Sequence, residues 1–315
     1  MKVKIVLGLV ISILAVTGFA LAQGASKESP AIQQHVAKAM ELAGSRYHDA
    51  AARLCSPPDA RSRPTFTTLN VEPAKLFDNL YFIGLANVYA WAVDTPEGII
   101  LLDSLNNAKD AEVTIVGGLK KLGLDPARIK YVVISHAHGD HFGGAPYIKQ
   151  HYNARILASE QSWQEMEKIK SENAPAPKRD MVVTDGQKLA VGGITLTFVQ
   201  TPGHTPGTTS VIVPVMDRGQ RHMAFILSGP RTETLETTTQ MLGSEEKLAK
   251  YGKENKVDVQ LTNHSYVDNS LPIIEAVRNR KPGEPNAYVI GEEGFQKFVG
   301  WQAECLKADI ARSGK

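Results

Sequence analysis

Cysteine is nearly absent from this chain of 315 residues; the two present, Cys55 and Cys305, stand near its ends. Neither sits in a CxxC spacing or near a cluster of histidines in sequence, so neither is assigned to a metal. No Gly-x-Ser-x-Gly elbow occurs, so no serine is marked as a nucleophile. No internal repeat is visible. An excess of one charge is missing too: the formal net charge is +2, and it falls to 0 once residues 1–22, with Lys2 and Lys4 and no acids, are set aside. That balance gives no electrostatic case for binding nucleic acid. Histidine is scarce at nine residues, yet three of the nine fall within the six positions His136-Ala137-His138-Gly139-Asp140-His141.

The N-terminus reads as a secretory leader. Lys2 and Lys4 supply a charged start, Ile5 to Val16 is apolar, and Ala20-Leu21-Ala22 matches a small-x-small cleavage pattern. A membrane anchor is the competing reading, and the missing basic flank after Gln23 counts against it. The expectation is a leader over 1–22 and a single domain over 23–315, periplasmic or secreted, with no membrane contact after cleavage. In that setting an even cysteine count favours a Cys55–Cys305 disulfide, the other reading being two buried thiols.

The His136–His141 run follows the apolar stretch Tyr131 to Ser135, so it is expected at the mouth of a strand. Imidazole and carboxylate are ligands that zinc takes at about 2.0–2.2 Å. The spacing lets His136 and His138 face one way while Asp140 and His141 turn another, so one loop would serve two metals. Two later histidines also follow strand-like sequence: His204 in Thr201-Pro202-Gly203-His204-Thr205-Pro206-Gly207, and His264 in Leu261-Thr262-Asn263-His264. Five His and one Asp suffice for two three-ligand sites with open positions. The remaining four, His35, His48, His151 and His222, read as solvated, His222 within a turn.

Around these residues β-like and helical stretches alternate. Helices are expected at 31–52, 108–122, 143–151, 160–170, 238–253, 271–280 and 292–311. Strands are expected at 80–85, 88–93, 98–103, 131–135, 155–158, from 181, and at 187–200, 208–215, 222–227 and 257–261. Arg61 to Asn70 reads as an extended lead-in. Two successive sets of strands interleaved with helices fit an α/β four-layer αββα sandwich.

The HxHxDH run resembles the signature of the metallo-β-lactamase superfamily. Most hydrolases of that fold carry a bridging Asp after a strand between the third and last His. Here that strand reads Ala224-Phe225-Ile226-Leu227-Ser228-Gly229, with Ser228 at the matching position. Serine there, with this ligand set, is the pattern of the third subclass of class B (metallo) β-lactamases. Phe77 to Gly84, Trp91-Ala92-Val93, Gly98 to Asp103 and Gly203 to Gly207 are similar to that subclass as well. The resemblance implies two Zn²⁺, one held by His136, His138 and His204, the other by Asp140, His141 and His264. Asp140 and His204 are read as catalytic as well as ligating. Ser228 would help position a substrate carboxylate. The subclass's second serine is replaced by Pro230, so the neighbouring Arg231 is assigned the lost anion contact. Asp103 resembles the family's outer carboxylate, which orients ligands; a helix N-cap is its other reading. The implied activity is opening of a β-lactam amide by a metal-bound hydroxide, in a monomer acting on a small molecule. Hydrolysis of another ester, lactone or amide, and zinc binding with little turnover, are the alternatives.

Overall fold

The structure is a computed structural model that describes residues 28–61, 69–229, 232, 234–268 and 270–314. The leader read over 1–22, most of the lead-in before Asn70, and Pro230 and Arg231 lie outside the described residues.

Side-chain alternation along the strands sets the layers, because successive residues of a strand face opposite ways. In β2 (Leu80–Gly84), Leu80 and Phe82 enter one apolar core while Tyr81 and Ile83 enter another. β1 (Ala74–Lys75), β2, β3 (Tyr89–Thr95) and β4 (Gly98–Leu102) pair antiparallel. β5 (Ile129–Val133), β6 (Arg155–Ser159) and β7 (Met181–Val183) extend the sheet in parallel. The second sheet contains β8 (Lys188–Val191), β9 (Ile194–Gln200), β10 (Thr209–Asp217), β11 (Gln220–Leu227) and β12 (Val259–Thr262). Its spatial order is β12-β11-β10-β9-β8, with only β11 and β12 parallel.

Phe82, Trp91 and Leu102 of the first sheet meet Phe198, Val213, Ile226 and Leu261 of the second in a shared core. The helices are α1 (Pro30–Ala43), α2 (His48–Leu54), α3 (Ala108–Asp110), α4 (Gly117–Lys121), α5 (Gly139–Phe142), α6 (Ala145–Tyr152), α7 (Glu160–Met166), α8 (Leu235–Glu254), α9 (Ser265–Asp268), α10 (Ser270–Arg278) and α11 (Gly291–Arg312). Ile115, Phe142, Ile148 and Trp163 cover the outer face of the first sheet. α1, α2, α8 and α11 cover that of the second, through Ala39, Leu54, Leu248, Phe295, Phe298 and Trp301. The result is the αββα order read from the sequence. Among the described residues, no helix is long and apolar enough to cross a membrane.

Three local expectations change. The helix read over 31–52 is two helices, because Gly44 turns to φ 54° and breaks the run. The strand read over 187–200 is a hairpin, β8 and β9, reversed at Gly192 and Gly193 with φ 53° and 82°. Positive φ at both turn residues suits the twist of the flanking strands and costs glycine little. The helix read over 160–170 ends at Met166 and relaxes into shorter turns, with Lys168 N bonded to Glu165 O and Ile169 N to Met166 O.

Cys55, the residue after α2, is disulfide-bonded to Cys305 in α11. The bond closes a separation of 250 residues. In the chain-entropy picture that contributes up to about 5 kcal/mol. Both cysteines should therefore resist alkylation in native and denatured protein until a reductant is added; labelling on denaturation alone would refute the bridge.

Candidate metal centre

Five strand ends converge on one edge of the sandwich. Asp103 follows β4, the His136–His141 run follows β5, His204 follows β9, Ser228 follows β11 and His264 follows β12. A rigid strand delivers each group and a short turn aims it, which is how scaffolds usually present functional residues.

The turns bring six side chains into two clusters, His136 with His138 and His204, and Asp140 with His141 and His264. Within each cluster the donor atoms lie within 4.8 Å of one another. Two donors bound to a tetrahedral ion at about 2.0–2.1 Å stand about 3.3 Å apart. The observed separations are close to this. His138 Nδ1 and His204 Nε2 are 3.1 Å apart, His141 Nε2 and His264 Nε2 3.1 Å, and Asp140 Oδ2 lies 3.5 Å and 3.7 Å from those last two nitrogens. The clusters adjoin, with the His136 and His141 ring centroids 4.1 Å apart.

The rings are oriented from behind. Asp103, 2% exposed, accepts from Ser135 N and Ser135 Oγ, each at 2.8 Å, and lies 2.8 Å from His141 Nδ1. Because the Ser135 hydroxyl proton goes to Asp103, its oxygen is left to accept from His136 Nδ1 at 3.0 Å. His264 Nδ1 donates to the Asn87 carbonyl at 2.8 Å. Each bond assigns the proton to Nδ1 and turns the Nε2 lone pair toward the cluster. His136 Nε2 is indeed buried without a hydrogen-bond partner. A nitrogen left so costs about 1–3 kcal/mol, and a metal ion taking its lone pair removes that penalty. The donor set therefore fits a metal such as zinc.

Burial, the largest influence, pushes the His136 pKa far down, helped by neighbouring histidines, and takes His264 down to about 4. Both rings are thus neutral, the form that ligates. Burial acts against charging His141 too, but the Asp140 and Asp103 carboxylates outweigh it and raise its pKa. Burial also opposes ionisation of Asp140, and the surrounding histidines prevail and lower its pKa.

Asp103 is not a helix cap. Asn107 caps the following helix, accepting from Asp110 N at 3.0 Å. The Asp103 backbone has φ 66°, a conformation an L-residue adopts at some cost. Ser228 is 4% exposed, its N–H donating to Ser210 Oγ at 3.3 Å. The next residue, Gly229, lies so close to His204 that an added Cβ would meet the ring at 2.4 Å. Arg231, assigned the anion contact, lies outside the described residues.

Three orienting groups are not singled out by the sequence: Ser135 as a hydrogen-bond bridge, the Asn87 carbonyl, and Asn263. Asn263 Nδ2 donates to Asp103 Oδ2 at 3.2 Å and to Ser135 Oγ at 3.1 Å. Its position directly before His264 was the one available signal; a backbone carbonyl leaves none. His222, read as solvated in a turn, is 7% exposed and 2.6 Å from Asp258. The turn is the tighter Arg218-Gly219, so His222 belongs to β11. His35, also read as solvated, is half-buried and lies 2.6 Å from Glu304.

Residues 83–217 match the metallo-β-lactamase superfamily. Among solved structures the chain is similar to a subclass B3 metallo-β-lactamase of Bradyrhizobium japonicum. The identity is 27%, over 78% of this chain and 96% of that one, with a TM-score of 0.67. Among curated proteins, a hydroxyacylglutathione hydrolase of Rhodopseudomonas palustris is 34% identical over 24% of this chain and 25% of its own length. An N-acyl homoserine lactonase of a Bacillus species is 27% identical over 51% of this chain and 72% of its own. The chain thus spans from about a quarter to under half of the length of the hydroxyacylglutathione hydrolases it matches.

Proposed function

We propose that this chain, which carries a metallo-β-lactamase superfamily domain, is an exported dizinc enzyme that opens the β-lactam amide. That it is a hydrolase of this fold is supported by the family match over residues 83–217 and by the structural neighbours. The finer reading rests on one observation: the two adjacent three-donor clusters contain one carboxylate between them, Asp140 of the second, and the end of β11 offers Ser228 where a bridging Asp would stand.

In this reading His136, His138 and His204 hold one zinc and Asp140, His141 and His264 the other. Zinc held there would supply a Lewis acid for the amide carbonyl and a water acidified enough to attack near neutral pH. Asp140 and His204 keep the reacting groups aligned with the two ions. Asp103 and Ser135 fix the ring faces of His141 and His136, so the donors need no reorganisation as charge develops. Ser228 and Arg231 receive the substrate carboxylate. Export is supported by the leader-like residues 1–22 and by the Cys55–Cys305 bridge, which suits an oxidising compartment. The chain is taken to act as a monomer.

The lactonase and hydroxyacylglutathione hydrolase matches favour a second reading, the same centre acting on a lactone or thioester. Purified zinc-loaded protein should hydrolyse a penicillin, a cephalosporin or a carbapenem, and lose that activity to a chelator. Turnover confined to an N-acyl homoserine lactone or an acylglutathione would overturn the β-lactam reading and establish the second.

Ser228→Ala should keep both metals and raise KM for carboxylate-bearing β-lactams, at a cost of about 1 kcal/mol, the usual worth of one hydrogen bond. Arg231→Ala should do the same more strongly. Zinc loss from Ser228→Ala would instead make the serine part of the metal shell.

A further inference from the structure

We infer that Arg53 is a positioning residue for the second metal cluster, acting through Tyr266 on His264. This rests on the two-ion reading above. His264 is held on two sides. Its Nδ1 is fixed by the Asn87 carbonyl, and its face is covered by the Tyr266 ring, with centroids 4.8 Å apart and planes at 25°. One hydrogen bond leaves an imidazole able to rock about its own axis, and a stacked ring removes that freedom. Tyr266 lies in α9, a helix of four residues with little rigidity of its own.

Arg53 supplies the rigidity. Its guanidinium carbon lies over the Tyr266 ring, 4.9 Å from the centroid, and Nη2 donates to the Tyr266 carbonyl. The Tyr266 ring thus makes both contacts at once, the His264 imidazole stacked on it and the Arg53 guanidinium over it. A cation is attracted to an aromatic face, more strongly when desolvated; the bond to the backbone fixes the helix as well as the ring.

Arg53 is itself anchored. It lies in α2, two residues before Cys55, whose disulfide joins α2 to α11. Arg312 of α11 also donates to the Cys55 carbonyl at 2.8 Å. Two covalently joined helices, far from the metal loop in sequence, thereby set the ring of one ligand. Partners that orient ligands typically change metal affinity by about 10–100-fold when removed. Nothing comparable reaches the first cluster through this route, so the effect should be confined to the second.

The test is zinc titration of the metal-free full chain against a chromophoric chelator, which resolves two binding steps without turnover. Arg53→Ala should weaken the second step by about 10-fold or more and leave the first unchanged. Arg53→Lys, which keeps a cation over the ring and loses the planar fork, should recover part of the loss. Tyr266→Leu should reproduce Arg53→Ala. Reducing the disulfide in the wild-type chain should move the second step in the same direction. Two unchanged steps in Arg53→Ala, or both steps weakened alike, would overturn the inference while leaving the dizinc reading intact. A wild-type chain that takes up one zinc would overturn that reading and this inference with it.

Discussion

Asp140→Ala and His264→Ala should each bind one zinc where the wild-type chain binds two, and each should lose at least about a hundredfold in turnover. The magnitude follows from comparison: removing an outer partner of a ligand costs about 10–100-fold, and these residues are ligands in the proposed centre. Each belongs to a cluster of three donors, so its loss leaves two, too few to hold zinc against water. The His264 change also frees the Asn87 carbonyl at a site 3% exposed, where its ring had been the partner. His222→Ala is the matched control. His222 is nearly as buried, but it pairs with Asp258 and belongs to neither cluster. It should keep both ions and its turnover. Elemental analysis beside initial rates decides the matter: full metal content in His264→Ala would remove that residue from the centre.

Glu245→Gln should flatten the stability of the protein between pH 5 and pH 8. Glu245 lies in α8, 2% exposed, with Oε2 lacking a hydrogen-bond partner. It borders a cavity of about 20 Å³, lined also by Leu54, Met241, Trp301, Gln302 and Leu306. Arg61 and Asp309 border it too, but they are paired with each other. Burial alone raises the Glu245 pKa from 4.5 to about 8. Across that interval the folded chain keeps a proton that the unfolded chain releases. The resulting stability is fully present below pH 4.5 and is lost as pH rises through 8. At about 1.36 kcal/mol per unit, the span is of the order of a few kcal/mol, among the largest single-group effects to be expected. Glutamine is neutral throughout and similar in shape, so the variant should melt later than wild type at pH 8 and about level with it at pH 4.5. Parallel melting curves at both pH values would show that Glu245 is solvated or paired.

The layering was legible because each strand carries its own record. Tyr81 and Ile83 alternate with Leu80 and Phe82, and such a pattern cannot face one core only. The metal-donor residues were legible for a different reason: imidazoles are scarce here, and a run of three beside a carboxylate has few uses. Where local geometry hung on one backbone angle, the sequence was silent. Gly44 looks like any helical glycine until its φ of 54° breaks the helix. Gly192 and Gly193 fall inside the strand read over 187–200, and their positive φ makes them its reversal. The orienting shell was the least visible part. The role of Ser135 depends on Asp103, 32 residues away, and on which of its bonds takes the hydroxyl proton. The Asn87 contribution is a main-chain carbonyl, which any residue would supply.

The pairing of α1 with α11 has a consequence for how the chain comes into being. A ribosome or a translocation pore delivers residues 30–43 early and 291–312 late, yet these helices share one apolar layer over the second sheet. Val199, Ile212, Phe225 and Leu227 therefore lack the α11 part of their cover until nearly the whole chain has emerged. Contacts so distant in sequence close slowly, and exposed apolar surface invites aggregation or proteolysis in the interval. A nonsense mutation just before Gly291 would spare every candidate metal ligand and still produce no lasting protein. Delivery of the last helix, rather than assembly of the metal loop, is then the step that commits the molecule to survival.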